Sequence, residues 1–254
     1  MIFQLIFVRH AESCANVWQK KYLGSQMMYQ DPGITVRGIT RSQVMMGILD
    51  EFIQATFGNG KFTVAASSMI RAQQTAHAMF PESPIHVFPH VAEEGVTYDN
   101  IPFSKEKQHE IMGPIVTGRL LEGKDNRDTD LKKKSSLDEF LKWARNHLDL
   151  FAKDVSPYHE IYRAVIFTHS NFLKRSFPLP DGSKMMNNGF VFSEFSYNEE
   201  QKGVYEYPCF MYHNDPSYVP DPLQKCPDNC RMTVCPKNRG GSRRRKTFKN
   251  KRVN

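Results

Sequence analysis

Two apolar runs constrain this chain more than any other feature. MIFQLIFV fills positions 1–8 and AVIF fills 164–167, and each runs straight into polar residues that include a histidine, RHAES at 9–13 and THSNF at 168–172. Runs this short, apolar at consecutive positions and rich in Ile, Val and Phe, predict strands covered on both faces. Such strands need helices on each side, so the expected fold class is α/β, a three-layer αβα arrangement with a mostly parallel central sheet. In open sheets of that kind ligands bind beyond the carboxyl ends of the strands. Arg9, His10 and His169 fall at those ends.

The rest of the chain supplies the layers. Thr35 caps a predicted helix running to about Phe57, in which Met45, Ile48, Leu49, Phe52 and Ile53 repeat at helical spacing before Gly58 ends it. FTVAAS (62–67) predicts a strand, 69–80 a helix with the serine pair ahead of it as an ordinary cap, and IHVF (85–88) a short strand. Residues 12–33 read as a polar and aromatic connection containing a DPG turn. Ser136 and Glu139 form a capping-box pattern before a helix whose face is Leu137, Phe140, Leu141, Ala144, Leu148 and Phe151. Residues 119–135 predict a charged surface loop, and 189–196 with 203–213 a pair of strands.

Charge is unevenly spread. The net +7 comes from 34 basic and 27 acidic residues, but 237–254 holds nine Lys or Arg and no acid, leaving 25 basic against 27 acidic in the remainder. The basic character belongs to a tail and not to the fold. No apolar run approaches bilayer length, and the apolar N-terminus has no charged leader, so it is expected to be a core strand of an intracellular protein without membrane contact. Five scattered cysteines do not suggest a disulfide framework.

Taken in order, VRHAES (8–13), DPGITVRG (31–38), SSMIRAQQTA (67–76), VAEEG (91–95) and FTHS (167–170) resemble the motifs of the histidine phosphatase superfamily, which includes the cofactor-dependent phosphoglycerate mutases. The resemblance covers roughly residues 1–213 and implies the phosphoglycerate mutase-like fold for them. It implies His10 as nucleophile, Arg9, Asn16 and Arg71 as phosphate contacts, Glu93 in the proton donor's place and His169 as the second histidine. Ala11 stands where the family usually has glycine. Glu94 is an alternative to Glu93, although the L-x-E register favours Glu93. Glu94, Tyr98, Asn100 and Asn171 complete the expected substrate-binding set, with Tyr22, Tyr29 and Asp99 at the mouth.

The residue types fit that chemistry on their own terms. Attack on a phosphate monoester needs a nucleophile, neutralisation of the non-bridging oxygens and a proton for the leaving oxygen. Neutral imidazole can form a covalent phosphoenzyme. Arginine forks bind phosphoryl oxygens while staying charged. His169, if protonated, adds a third cationic donor, and Glu93 must be protonated to serve as the acid. No metal or other cofactor is expected with this much cationic charge. The mutases' cationic stretch after the acid is replaced here by VAEEGVTYDNIP, which favours a phosphatase with water as acceptor over a mutase-type phosphotransferase. The substrate is then a phosphorylated small molecule or a phosphoprotein. The reading from another class is a catalytically silent binding module, against which the intact His10, Arg9, Arg71 and His169 set argues.

Beyond 213 the pattern changes. Residues 214–236 form a Cys/Pro-rich extension in which Cys226, Cys230 and Cys235, with Cys209 and His213 upstream, lack the common C-x2-C zinc spacing, so free thiols are expected. The tail 237–254 is expected to be disordered, with a composition suited to nucleic acid, nuclear import machinery or other polyanions. It resembles in composition the basic tails common on proteins of large DNA viruses.

Overall fold

A computed structural model describes residues 1–21, 29–93, 95, 97–112, 135–155, 159–179, 182–197, 205–206 and 210–213. The expected extension, the basic tail, Cys209, Cys226, Cys230, Cys235, Tyr22, Glu94 and nearly all of the 119–135 loop lie outside them.

The first apolar run is β1 (Ile2–Arg9), and it sits near the middle of an eight-stranded sheet. It pairs in parallel with β5 (Glu160–Thr168), the second apolar run, in unbroken register from Ile2↔Ile161 to Arg9↔Thr168. β2 (Thr63–Ala66) pairs in parallel with β5, and β3 (Ile85–Val87) in parallel with β2. The order β3-β2-β5-β1 is therefore a parallel block, continued by antiparallel β6 (Phe190–Tyr197) on the far side of β1. The expected partner of β6 at 203–213 is two short strands, β7 (Tyr205–Glu206) and β8 (Phe210–His213), both antiparallel to it. One further strand was not foreseen: β4 (Ala152–Val155) forms a hairpin with the start of β5. Its residues read AKDV, too short and too polar to register as a strand by pattern.

Consecutive apolar residues bury because alternate side chains enter opposite layers. Phe3, Leu5 and Phe7 of β1 join one core, Ile6 and Val8 the other. The second core is closed by α2 (Val36–Phe57) and α3 (Ile70–Met79), through Met45, Leu49, Ile53, Ala72, Ala76 and Met79. The first is closed by α5 (Leu137–Arg145) and α6 (Ser170–Ser176), through Phe140, Leu141, Ala144, Phe172 and Leu173. Phe7 packs between Phe140, Phe172 and Phe177, with ring centroids 5.2–5.9 Å away. A side chain of that size, fully buried, contributes about 1.5–3 kcal/mol. The three-layer reading holds.

Three helices were missed, α6 among them, and one was overextended. α1 (Cys14–Lys21) and α4 (Lys105–Met112) are short and carry too few apolar residues at helical spacing to announce themselves. α5 begins as expected, with Ser136 Oγ accepting from Glu139 N at 3.2 Å, but it stops at Arg145. Leu148 and Phe151 reach the same core through a 3-10 turn, Leu148–Leu150, and the residue after it.

Candidate active site

The strand order decides which residues meet. β2, β5 and β1 lie side by side and end together, so Ser67, His169 and His10, each the first residue beyond its strand, become neighbours. Ser67 N donates to Phe167 O at 2.9 Å and His10 N to Thr168 O at 2.9 Å, which extends the ladder by one rung on both sides of β5. The His10 and His169 ring centroids are 5.1 Å apart.

His10 is buried, and its Nδ1 lies 2.7 Å from the carbonyl of Ala11. A carbonyl can only accept, so Nδ1 carries the proton and Nε2 of the neutral ring keeps its lone pair. Burial, reinforced by the guanidinium charges of Arg71 and Arg9, pushes the His10 pKa well below the ordinary histidine value. Ala11 is itself fixed, its N donating to Thr75 Oγ1 at 2.9 Å, and Thr75 Oγ1 donating to Arg71 O at 2.7 Å. Strand end and arginine helix are thus tied by one hydroxyl.

Arg71 lies in the first turn of α3, where Nη1 donates to Asp99 O and Nη2 to Asn100 Oδ1, both at 2.9 Å. The serine pair does not cap this helix. Asp31 does, through Oδ1 accepting from Ile70 N at 3.0 Å, while its Oδ2 accepts from Phe103 N at 3.0 Å. Burial raises the Asp31 pKa to about 6. Ser67 turns to the second histidine instead, its Oγ lying 2.6 Å from His169 Nε2 and accepting from Met69 N at 3.3 Å. The arrangement that satisfies these atoms has the Ser67 hydroxyl donating to Nε2, which puts the His169 proton on Nδ1. Among the described residues that Nδ1 has no hydrogen-bond partner. His169 is buried and its pKa is held well below the ordinary histidine value, first by burial and then by Arg71, His10 and Arg9.

Glu93 is placed by the loop after β3. Thr168 Oγ1 donates to Val91 O at 2.6 Å, and the Glu93 Oε1 accepts from Asn171 N at 3.3 Å. Burial raises its pKa against the opposing pull of Arg71 and Arg9. The segment matching DPGITVRG acts as a strut: Thr35 Oγ1 donates to Glu12 Oε1 at 2.9 Å, and a Cβ on Gly38 would meet Glu12 O at 2.4 Å. Only glycine lets α2 approach the 9–13 segment so closely.

Part of this set lines an open cavity of about 440 Å³, while His169, fully buried behind His10, is not among the lining residues. Arg9, His10, Asn16, Arg71, Glu93, Asn100 and Asn171 all face it, as does Asp99. Asn16 Oδ1 accepts from Ser13 N at 3.1 Å and from Asn187 Nδ2 at 3.2 Å, which leaves its amide nitrogen for the cavity. Tyr98 is not in the lining, although it sits in the 3-10 turn that carries Asp99 and Asn100. Tyr29 stacks on Trp18 at 3.9 Å instead of lining the cavity. Unforeseen are Lys184 in the lining and Asn187, whose Nδ2 donates to His10 O at 2.8 Å. Both lie in a stretch without periodicity, where pattern carries no signal. Among the described residues no group of three His, Cys, Asp or Glu side chains could hold a metal ion.

No family model and no curated protein matches the chain. Among solved structures the chain is similar to several phosphatases and hydrolases. A phosphoserine phosphatase from Entamoeba histolytica, solved with 3-phosphoglyceric acid, is 20% identical with a TM-score of 0.42, over 85% of this chain and 98% of that one. A mycobacterial glucosyl-3-phosphoglycerate phosphatase is 12% identical with a TM-score of 0.45, over 82% and 98%. A protein described as mycobacterial hydrolase 2 is 12% identical with a TM-score of 0.48, over 91% and 96%.

Proposed function

We propose that this chain is a phosphomonoester hydrolase of the histidine phosphatase superfamily, working through a phosphohistidine on His10. The observation that carries the reading is the state of His10: its proton is held on Nδ1 by Ala11, its Nε2 has no hydrogen-bond partner among the described residues, its pKa is lowered, and it shares a cavity with two guanidinium groups. Nε2 attacks phosphorus while the phosphorus–oxygen bond to the alcohol breaks. Arg9, Arg71 and the Asn16 amide neutralise the non-bridging oxygens. His169 contributes the neutral Nδ1–H left by its contact with Ser67. Glu93, whose pKa burial raises, acts in its protonated form and delivers its proton to the leaving oxygen. It then takes a proton from the water that attacks phospho-His10, releasing inorganic phosphate and restoring the acid.

The pH dependence follows from two opposite shifts. Lowering the His10 pKa moves the acidic limb down, since the nucleophile stays neutral below the ordinary histidine range. Raising the Glu93 pKa keeps the acid protonated to higher pH than an ordinary glutamate, and its loss above that pKa gives the falling limb. Hydrolysis of alkyl phosphates in excess chelator is expected, with kcat/KM highest at mildly acidic pH and declining toward alkaline pH. A profile rising monotonically to about pH 9 removes Glu93 as general acid. Activity that chelator abolishes contradicts the mechanism, and a requirement for a bisphosphate cofactor supports a mutase in its place.

A further inference from the structure

Four of the five large apolar side chains that stand exposed among the described residues lie on α2: Val36, Ile39, Val44 and Ile48. The helix turns one seam inward, where Gly38, Ser42, Met45, Leu49, Ile53 and Phe57 are buried. A second seam faces away from the core: Arg37, Arg41, Val44, Ile48, Glu51 and Ala55, spaced alternately four and three residues apart. That spacing is the 3.5-residue repeat with which one helix packs along another. Val44 is 66% exposed and Ile48 40%, Glu51 and Ala55 are exposed, and the two arginines are half-buried. Beside the seam, a Cβ on Gly47 would meet nothing within 4 Å. Glycine inside a helix costs about 1 kcal/mol relative to alanine, and no described neighbour in this chain requires it there. The space it leaves admits a second backbone.

The order of residue types along the seam selects the occupant. It runs basic at Arg37 and Arg41, apolar at Val44 and Ile48, and acidic at Glu51. The same helix laid antiparallel reads acidic, apolar, basic, so the seam is complementary to itself. We infer that α2 is the contact face of a two-fold symmetric homodimer, in which the α2 helices of two copies pair antiparallel about a centre between Val44 and Ile48. Val44 of each copy then meets Ile48 of the other, and four apolar side chains form the middle of the contact. Arg41 of each copy meets Glu51 of the other, which places an ion pair at both ends. Arg37 and Arg41 also interact within their own chain, and a guanidinium has donors enough to serve both partners. Such a contact is isologous and closes at two copies. A 22-residue helix is about 33 Å long, so the contact is smaller than a standard interface and the dimer is a weak, reversible one. No α2 residue lines the cavity beside His10, so the pairing leaves that cavity open.

The test is sedimentation equilibrium of the full-length protein with reductant present and at about 150 mM salt, where unspecific charge contacts are screened. Wild-type protein is expected to show a reversible monomer–dimer equilibrium with Kd on the order of 10 μM. Arg41→Glu and Glu51→Arg each set two like-charge pairs across their own homodimer, and each is expected to weaken association by about tenfold or more. An equimolar mixture of the two variants should recover it, because both pairs of the heterodimer are again of opposite sign. A misfolded variant cannot produce that recovery. Wild-type protein that stays monomeric up to about 200 μM overturns the inference and leaves the seam to a different partner. Association that neither variant weakens overturns it by placing the contact on another surface. Variants that both fail alone and fail to recover on mixing overturn the antiparallel pairing.

Discussion

His10→Ala protein is expected to lose phosphomonoester turnover by about 10⁴-fold or more, the scale seen when a covalent nucleophile is removed. The reason is local. Nε2 of His10 is the lone pair that the geometry leaves bare at the cavity, because Nδ1 is committed to Ala11 O at 2.7 Å. His169 cannot take over, since its Nε2 is held by Ser67 Oγ at 2.6 Å. Folding is a separate matter and is checked separately. His10 is buried with a depressed pKa, so the unfolded state takes up a proton there that the native state refuses. Native stability from this group is complete above the ordinary histidine pKa and is lost as pH falls through the window below it. His10→Ala protein should therefore keep its cooperative thermal transition and lose stability less steeply on mild acidification than wild type. Turnover retained within tenfold of wild type would place the nucleophile elsewhere.

Glu93→Gln is expected to separate substrates by their leaving groups. For alkyl phosphates, whose alkoxide needs a proton, kcat/KM should drop by about 10²–10⁴-fold, the usual worth of a positioned general acid. For p-nitrophenyl phosphate, whose phenolate leaves without one, the loss should be far smaller, and the alkaline decline of the profile should flatten. Stability should move the other way. A carboxyl whose native pKa is raised binds a proton in the folded state that the unfolded state has already released. Stability then falls as pH rises from the ordinary glutamate value through the raised one, and the cost is fully present above it. Glutamine carries no charge, so the variant should melt at a higher temperature than wild type at pH 8 and show no such gain at pH 4. Equal losses on both substrates would make Glu93 a binding residue and not an acid.

The strands and the histidines were legible because they rest on the strongest signals. Runs such as MIFQLIFV can only be buried on two faces, and a polar residue that ends such a run has to lie at the carboxyl end of the strand. Arg71, Asn16 and Glu93 required the family motifs, since a lone arginine in the first turn of a helix looks like any solvated residue. What escaped was held together by hydrogen bonds across long separations in sequence. Asp31 caps α3 from 39 residues away, and Ser67, which reads as that cap, serves His169 instead. Asn187 reaches His10 from 177 residues away, in a stretch with no periodicity to mark it. Lys184 in the cavity lining was unmarked for the same reason. α1, α4 and α6 were missed because tertiary contacts, not propensity, sustain helices so short.

The most direct test of the central claim is rapid acid-free quenching of wild-type protein during turnover of a ³²P-labelled phosphomonoester, followed by mapping of the label. The expected result is label bound to the protein, stable to alkali, lost on brief acid treatment, located on Nε2 of His10 and absent from His10→Ala. Sustained turnover with no label on the protein, or label on any residue other than His10, would contradict the mechanism.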